Sequence, residues 1–381
     1  MKNINTKTYA LYLLLLGSMF FQYNAQALVS FRKFESLNPV PGCTTGVIEN
    51  DSALVLRLIN AYQKSDNEMH RGDSMWQYIF NNSHMAIHQV FKNGQLNAAT
   101  DILRYPAKTD LFYGIDNLSS SFMYVYQNPD VPINVARENL DKLMRFAEGI
   151  GALPLDNPEE NFGPAISYDA ETVVKLIEQT INLDLSFPNP YPYEYGVLTS
   201  KGVISYRVPQ ALYQAWKIKQ LVKNVKNPRV LEIGAGLGRT AYYAKLFGIQ
   251  DYTIIDLPMT ALCSGYFLGR SLGDEFVVLY GENLEDSENK VKILTPNDFL
   301  NGTKNYDLII NVDSMTEMDP TMAKAYFEKI RASTKTFLSI NHEINLFTVA
   351  DLIRECNSVL ETSRHPYWLR QGYVEELVRF K

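Results

Sequence analysis

Between residues 50 and 185 the apolar positions recur at intervals of three and four. Ile133, Ala136, Leu140, Leu143 and Ala147 fall on one face of a helix, and Val173, Leu176, Ile177 and Ile181 do the same. No strand-like series interrupts them, and Pro106, Asn128-Pro129 and the stretch 154–158 read as turns. The segment predicts a mostly helical unit without a fixed repeat. Three prolines then fall within the seven residues 187–193, which no helix accommodates, and they mark a junction.

Beyond the junction the pattern switches to short β-branched runs alternating with amphipathic segments, as βαβ units require. The spacing predicts a helix over 208–225 and strands over 229–233, 252–256, 291–294, 306–311 and 336–341. A terminal pair near 359–368 and 373–380 brings the number to seven, and 276–280 is a further strand without a place in that order. The expected architecture is an α/β, Rossmann-like sheet over 191–381, preceded by a mostly helical domain over 28–190.

The N-terminus departs from both patterns. Lys2 and Lys7 precede an apolar run over 9–21 and then Ala25-Gln26-Ala27, the three-part form of a secretory signal peptide cleaved after Ala27. The run is shorter than the roughly 20 residues of a membrane span, so residues 1–27 read as a signal peptide or a weak membrane anchor. This end suggests export or membrane association, and leaves the location open until the cofactor is weighed.

At 381 residues the chain has room for two cores, and 46% hydrophobic against 20% charged residues is a folded composition. A net charge of -6 speaks against a phosphate-tracking surface, so nucleic acid is not an expected partner. Cys43, Cys263 and Cys356 lie far apart and suit neither a disulfide framework nor a thiolate zinc site.

The sharpest local signal is Val230-Leu231-Glu232-Ile233-Gly234-Ala235-Gly236-Leu237-Gly238, a hydrophobic strand entering three glycines and then a helix. Glycines permit positive φ and let a ligand lie against bare backbone, while the helix start offers unpaired N–H groups. A dinucleotide fingerprint has its third glycine where this chain has Arg239. Glu232 stands two residues before the first glycine, placed to receive an ammonium group, which S-adenosylmethionine carries and NAD lacks. Asp256 ends the next strand, the place of an acid that accepts ribose hydroxyls. Glu232, Gly234, Gly236, Gly238 and Asp256 are the expected cofactor contacts, joined by Asn297 and Asp298 for an adenine amino group.

This loop, the Ile255-Asp256-Leu257-Pro258 strand end and the segment Tyr306-Asp307-Leu308-Ile309-Ile310-Asn311-x-x-Ser314-Met315-x-Glu317-Met318 resemble the sugar O-methyltransferases of bacterial surface-polysaccharide pathways. The likeness covers the C-terminal half well and the helical half loosely. It implies a class I methyltransferase sheet, S-adenosylmethionine as cofactor with Asn311 among its contacts, and methyl transfer to a sugar or glycan hydroxyl. The apparent signal peptide departs from that family's cytoplasmic setting, where the cofactor is made.

Ligands of an open parallel sheet bind outside the carboxyl ends of its strands, which selects Asp313, Ser314 and Glu317 after one strand and His342 and Glu343 after the next. A sugar hydroxyl needs its proton removed as the methyl bond forms; His342 is the first candidate base and Glu317 the second. The acids of these two loops could also surround a magnesium-like ion, yet no dedicated ligand spacing supports one, and no metal is predicted. Tyr193, Tyr195, Tyr206, Arg207, Gln210 and Tyr213 offer flat faces and hydrogen-bonding forks for an acceptor, with Tyr206, Arg207, Gln210 and Tyr213 as the expected substrate contacts. Two other readings stand beside the methyltransferase: an exported, catalytically idle domain used for binding, and an NAD-dependent oxidoreductase.

Overall fold

The computed structural model describes residues 37–46, 50–65, 74–155, 168–285 and 287–381. The expected signal peptide or anchor over 1–27 lies outside the described residues. None of the described helices is long and apolar enough to cross a membrane.

The C-terminal sheet is built from β4 (Arg229–Ile233), β5 (Asp251–Ile255), β6 (Val277–Val278), β7 (Val291–Leu294), β8 (Leu308–Val312), β9 (Thr336–His342), β10 (Val359–Pro366) and β11 (Tyr373–Phe380). Its central strands are apolar on both faces, with Val230, Leu231, Ile254, Ile309 and Ile310 buried, because helices cover each side of a parallel sheet. In space the order is β10-β11-β9-β8-β4-β5-β7-β6. Without the two-residue edge strand β6, the other seven run 3-2-1-4-5-7-6 in chain order, and the last, β11, lies antiparallel to both neighbours. That is the class I methyltransferase sheet; a dinucleotide fold runs 3-2-1-4-5-6 with no strand inserted between five and six. The sheet therefore has eight strands where seven were expected, the extra one being the unplaced run near 277, which pairs parallel with β7.

Helices α8 (Val208–Leu221), α9 (Arg239–Leu246) and α10 (Pro258–Leu272) pack on one face, and α11 (Pro296–Leu300), α12 (Pro320–Ser333) and α13 (Val349–Arg354) on the other. The helix expected to reach residue 225 stops at Leu221, where the Val222 N–H closes the last turn on the Ile218 carbonyl.

The helical series appears as α1 (Ser52–Lys64), α2 (Met75–Ile79), α3 (Met85–Lys92), α4 (Leu96–Arg104), α5 (Ser120–Met123), α6 (Asp130–Gly149) and α7 (Ala170–Ile181). It shares one continuous apolar cluster with the sheet's α8–α10 face. Close approach depends on Gly265 and Gly269 of α10, where a Cβ would lie 2.6 Å from Leu58 and from Leu54 of α1. A small sheet that the alternation did not reveal joins the two regions: β1 (Pro41–Cys43) pairs with β2 (Tyr195–Thr199), which pairs with β3 (Gly202–Ser205). These strands are too short and too glycine-rich to show a period of two.

Candidate functional site

The strand ends and the helical layer enclose a cavity of about 340 Å³. Its floor is the β4–α9 loop. Gly234, Gly236 and Gly238 all take positive φ, between 59° and 79°. At Gly236 nothing but Ile115, at 3.7 Å, faces a would-be Cβ, so the loop presents bare backbone to the cavity. Gly238 does not face the cavity; its missing side chain makes room for Leu268.

The N–H groups of Gly234, Ala235, Gly236 and Gly238 are already taken up within the fold. Asp256, at the end of β5, accepts from Ala235 N at 2.8 Å and Gly236 N at 3.3 Å with one oxygen and from Leu257 N with the other. Gly234 N and Gly238 N donate to the Ile255 and Ala235 carbonyls. An acid thus sits where a pyrophosphate would need donors. Glu232, 1% exposed, accepts from the Tyr252 hydroxyl at 2.9 Å and also lines the cavity. Burial raises the pKa of Glu232 to about 7, with no cationic side chain offsetting it, and burial raises Asp256 to about 7 as well. The two acids need a ligand cation or donors to ionise comfortably.

The opposite wall comes from the β8 end. Asn311 accepts from Met315 N at 3.1 Å and donates to the Ile233 carbonyl at 2.9 Å, while Asn341 of β9 donates to it at 2.8 Å. This fully buried amide folds the turn that projects Glu317, and it does not reach the cavity as a cofactor contact. Asp313, next along, holds φ at 60°, a conformation costly for a residue with a Cβ and kept where surroundings impose it. Its carboxylate takes Arg370 Nη1 at 2.6 Å, the Tyr373 hydroxyl at 2.6 Å and Arg207 Nη2 at 3.3 Å. Burial opposes its ionisation, but Arg370 and Arg207 outweigh that and hold it below the usual carboxylate range.

Glu317 faces the cavity and accepts the Trp76 indole N–H at 3.1 Å, a contact supplied by α2 of the helical layer. Burial first, then the charge of Asp313, pushes its pKa well up. His342, the first candidate base, stands off the cavity wall, its Nε2 3.7 Å from Asp313 and its ring edge-on to Tyr373. Burial lowers its pKa. Asp313, Glu317 and His342 each bring one donor atom within 4.8 Å of the others, a spacing a cation could use. Arg370 and Tyr373 already occupy the Asp313 oxygens, and two guanidiniums oppose a further positive charge. Glu343 points elsewhere, paired with Arg364.

Of the remaining expected residues, Arg207, Gln210 and Asn297 line the cavity. Asp298 does not: its carboxylate turns back to Thr295 N and Oγ1 in a capping box. Tyr213 is buried against Glu375 at 2.6 Å, Tyr206 lies under the Arg207 and Lys142 cations, and Tyr195 stacks on Tyr126. These aromatics pack the domain contact and do not wall the cavity. Residues that the sequence did not single out are Trp76, Asp116, Glu194 and Arg370. Arg239, noted only as a missing glycine, is 5% exposed and bridges Asp116 at 2.6 Å and Glu194 at 2.5 Å.

No protein-family model matches the chain, and no curated protein matches it. Solved structures resemble the C-terminal part. Magnesium protoporphyrin IX methyltransferase from Synechocystis PCC 6803 is 13% identical, over 45% of this chain and 81% of that one, with a TM-score of 0.32. The glycopeptide N-methyltransferase MtfA, solved with S-adenosylmethionine, is 14% identical over 45% and 94%, with a TM-score of 0.34. TehB from Haemophilus influenzae is 15% identical over 44% and 62%, with a TM-score of 0.31. The fold assignment rests on the strand order of this chain's own sheet.

Proposed function

We propose that this protein is an S-adenosylmethionine-dependent O-methyltransferase that acts on a sugar or glycan hydroxyl. The observation that carries the reading is the pair of buried acids at one glycine loop. Glu232 offers an uncompensated carboxylate to an ammonium group. Asp256 keeps acceptor capacity for ribose hydroxyls while occupying the N–H groups that a dinucleotide's pyrophosphate would need. The acids, the open face of Gly236 and the cavity that joins them fit an amino-acid nucleoside. Asn297 and Leu300 remain on the cavity wall for its base.

The cofactor, when bound, supplies an electrophilic methyl group on a sulfonium centre. Glu317, in its ionised form, then acts as general base: its raised proton affinity makes that carboxylate a stronger acceptor for the proton of an alcohol. Trp76 holds that carboxylate in place, and Asp313 keeps it basic through repulsion while remaining ionised itself on its two arginines. Trp76 brings the helical layer over this end of the cavity.

Isothermal titration of the full chain with S-adenosylhomocysteine, NADH and buffer tests the reading. Micromolar binding of S-adenosylhomocysteine, weakened in Asp256→Ala, is expected; binding of NADH in its place would overturn it.

A further inference from the structure

Buried amides almost always find partners, yet Gln210, 2% exposed and on the cavity wall, has none among the described residues for either its Nε2 or its Oε1. Three residues earlier, at the N-cap of α8, is Arg207, which also lines the cavity. Among the described residues its guanidinium has one hydrogen bond, the 3.3 Å contact to Asp313, to an oxygen that Arg370 already holds at 2.6 Å. Two guanidiniums share the Asp313 carboxylate here, and Arg207 holds it by the longer contact. This pair lies beyond β8, on the far side of the glycine loop from Asp256 of β5. A cation and an unsatisfied amide contributed by one wall of the cavity fit the oxygens of an anion.

We propose that Arg207 and Gln210 form an anion-recognition site at the acceptor end of the cavity, so that the molecule methylated here carries a carboxylate or phosphate group close to the reacting hydroxyl. The acceptor assignment rests on the methyl-transfer reading; the anion site itself does not.

The probe is sulfate, titrated against chloride at constant ionic strength, with the thermal stability of the full chain saturated with S-adenosylhomocysteine as readout. Sulfate is expected to stabilise that complex, with its apparent affinity falling about tenfold or more in Arg207→Gln and in Gln210→Met. Gln210→Met removes an amide that bonds nothing in the fold, so it keeps the test valid if Arg207→Gln unfolds. Sulfate acting no differently from chloride, or equally in wild type and both variants, overturns the site. Sulfate that competes with S-adenosylhomocysteine but not with 5'-methylthioadenosine, which lacks the amino-acid carboxylate, overturns the acceptor assignment and gives the site to the cofactor. Sulfate bound through Arg207 by a chain that does not bind S-adenosylhomocysteine leaves the anion site standing and removes the methyl-transfer reading.

Discussion

Arg239, the first residue of α9, reaches Asp116 of the helical layer at 2.6 Å across 123 positions of sequence. The same guanidinium meets Glu194 just ahead of β2, at 2.5 Å, and all three side chains are buried. The cofactor loop is thereby tied to its cover at the point where a dinucleotide fold would place a glycine. Arg239→Met should cost about 3–5 kcal/mol in urea unfolding, because two buried acids lose their partner. Adding Asp116→Asn and Glu194→Gln should restore most of that loss; a triple variant as unstable as the single one would refute the ion-pair account.

Glu317→Gln keeps size and the Trp76 contact while removing the base. Turnover should fall by roughly 10²–10⁴, with S-adenosylhomocysteine affinity little changed. His342→Gln, altering a residue behind Asp313, should cost much less. The reverse ranking in kcat would return the base role to His342.

Trp76→Phe removes the indole donor to Glu317. That hydrogen bond favours the charged carboxylate, so its loss should raise the pKa of the base. The acid limb of the kcat profile should move to higher pH, with cofactor affinity preserved. A profile that keeps its shape would assign Trp76 to packing alone.

Glu232 and Asp256 both titrate near 7 in the fold and near 4 when exposed. The native state therefore binds more protons than the unfolded state across this window, and stability is greatest below it and declines as pH rises from about 4 to 7. Glu232→Gln should flatten the decline, removing roughly 3 kcal/mol of pH-dependent stability at most. S-adenosylhomocysteine should bind more tightly as pH rises over the same range, since the ionised Glu232 is the form that meets an ammonium group. Calorimetry at pH 5 and 8 measures both effects.

Much of the C-terminal sheet was legible because parallel strands buried on both faces read as short apolar runs, and β4, β7 and β11 begin and end where those runs do. The glycine loop was legible for a different reason: positive φ and close ligand approach restrict the residue type at single positions. Glu232, Asp256 and Glu317 could be placed on the cavity from strand ends alone, since an open sheet sets that edge. Asn311, Asp298 and Tyr213 occupy equally suggestive positions and face inward to the fold, because hydrogen bonds to Met315, Thr295 and Glu375 claim their polar atoms.

The order of strands and helices, the loop that meets the cofactor and the acids beside it follow from local pattern, in which neighbouring residues suffice to set backbone and periodicity. The partners of Arg239, the arrival of Trp76 at Glu317, the retreat of His342 behind Asp313 and the orphaned amide of Gln210 were decided by tertiary structure. Each depends on which distant side chain fills a buried site, and burial selects partners by space and charge without regard to distance along the chain.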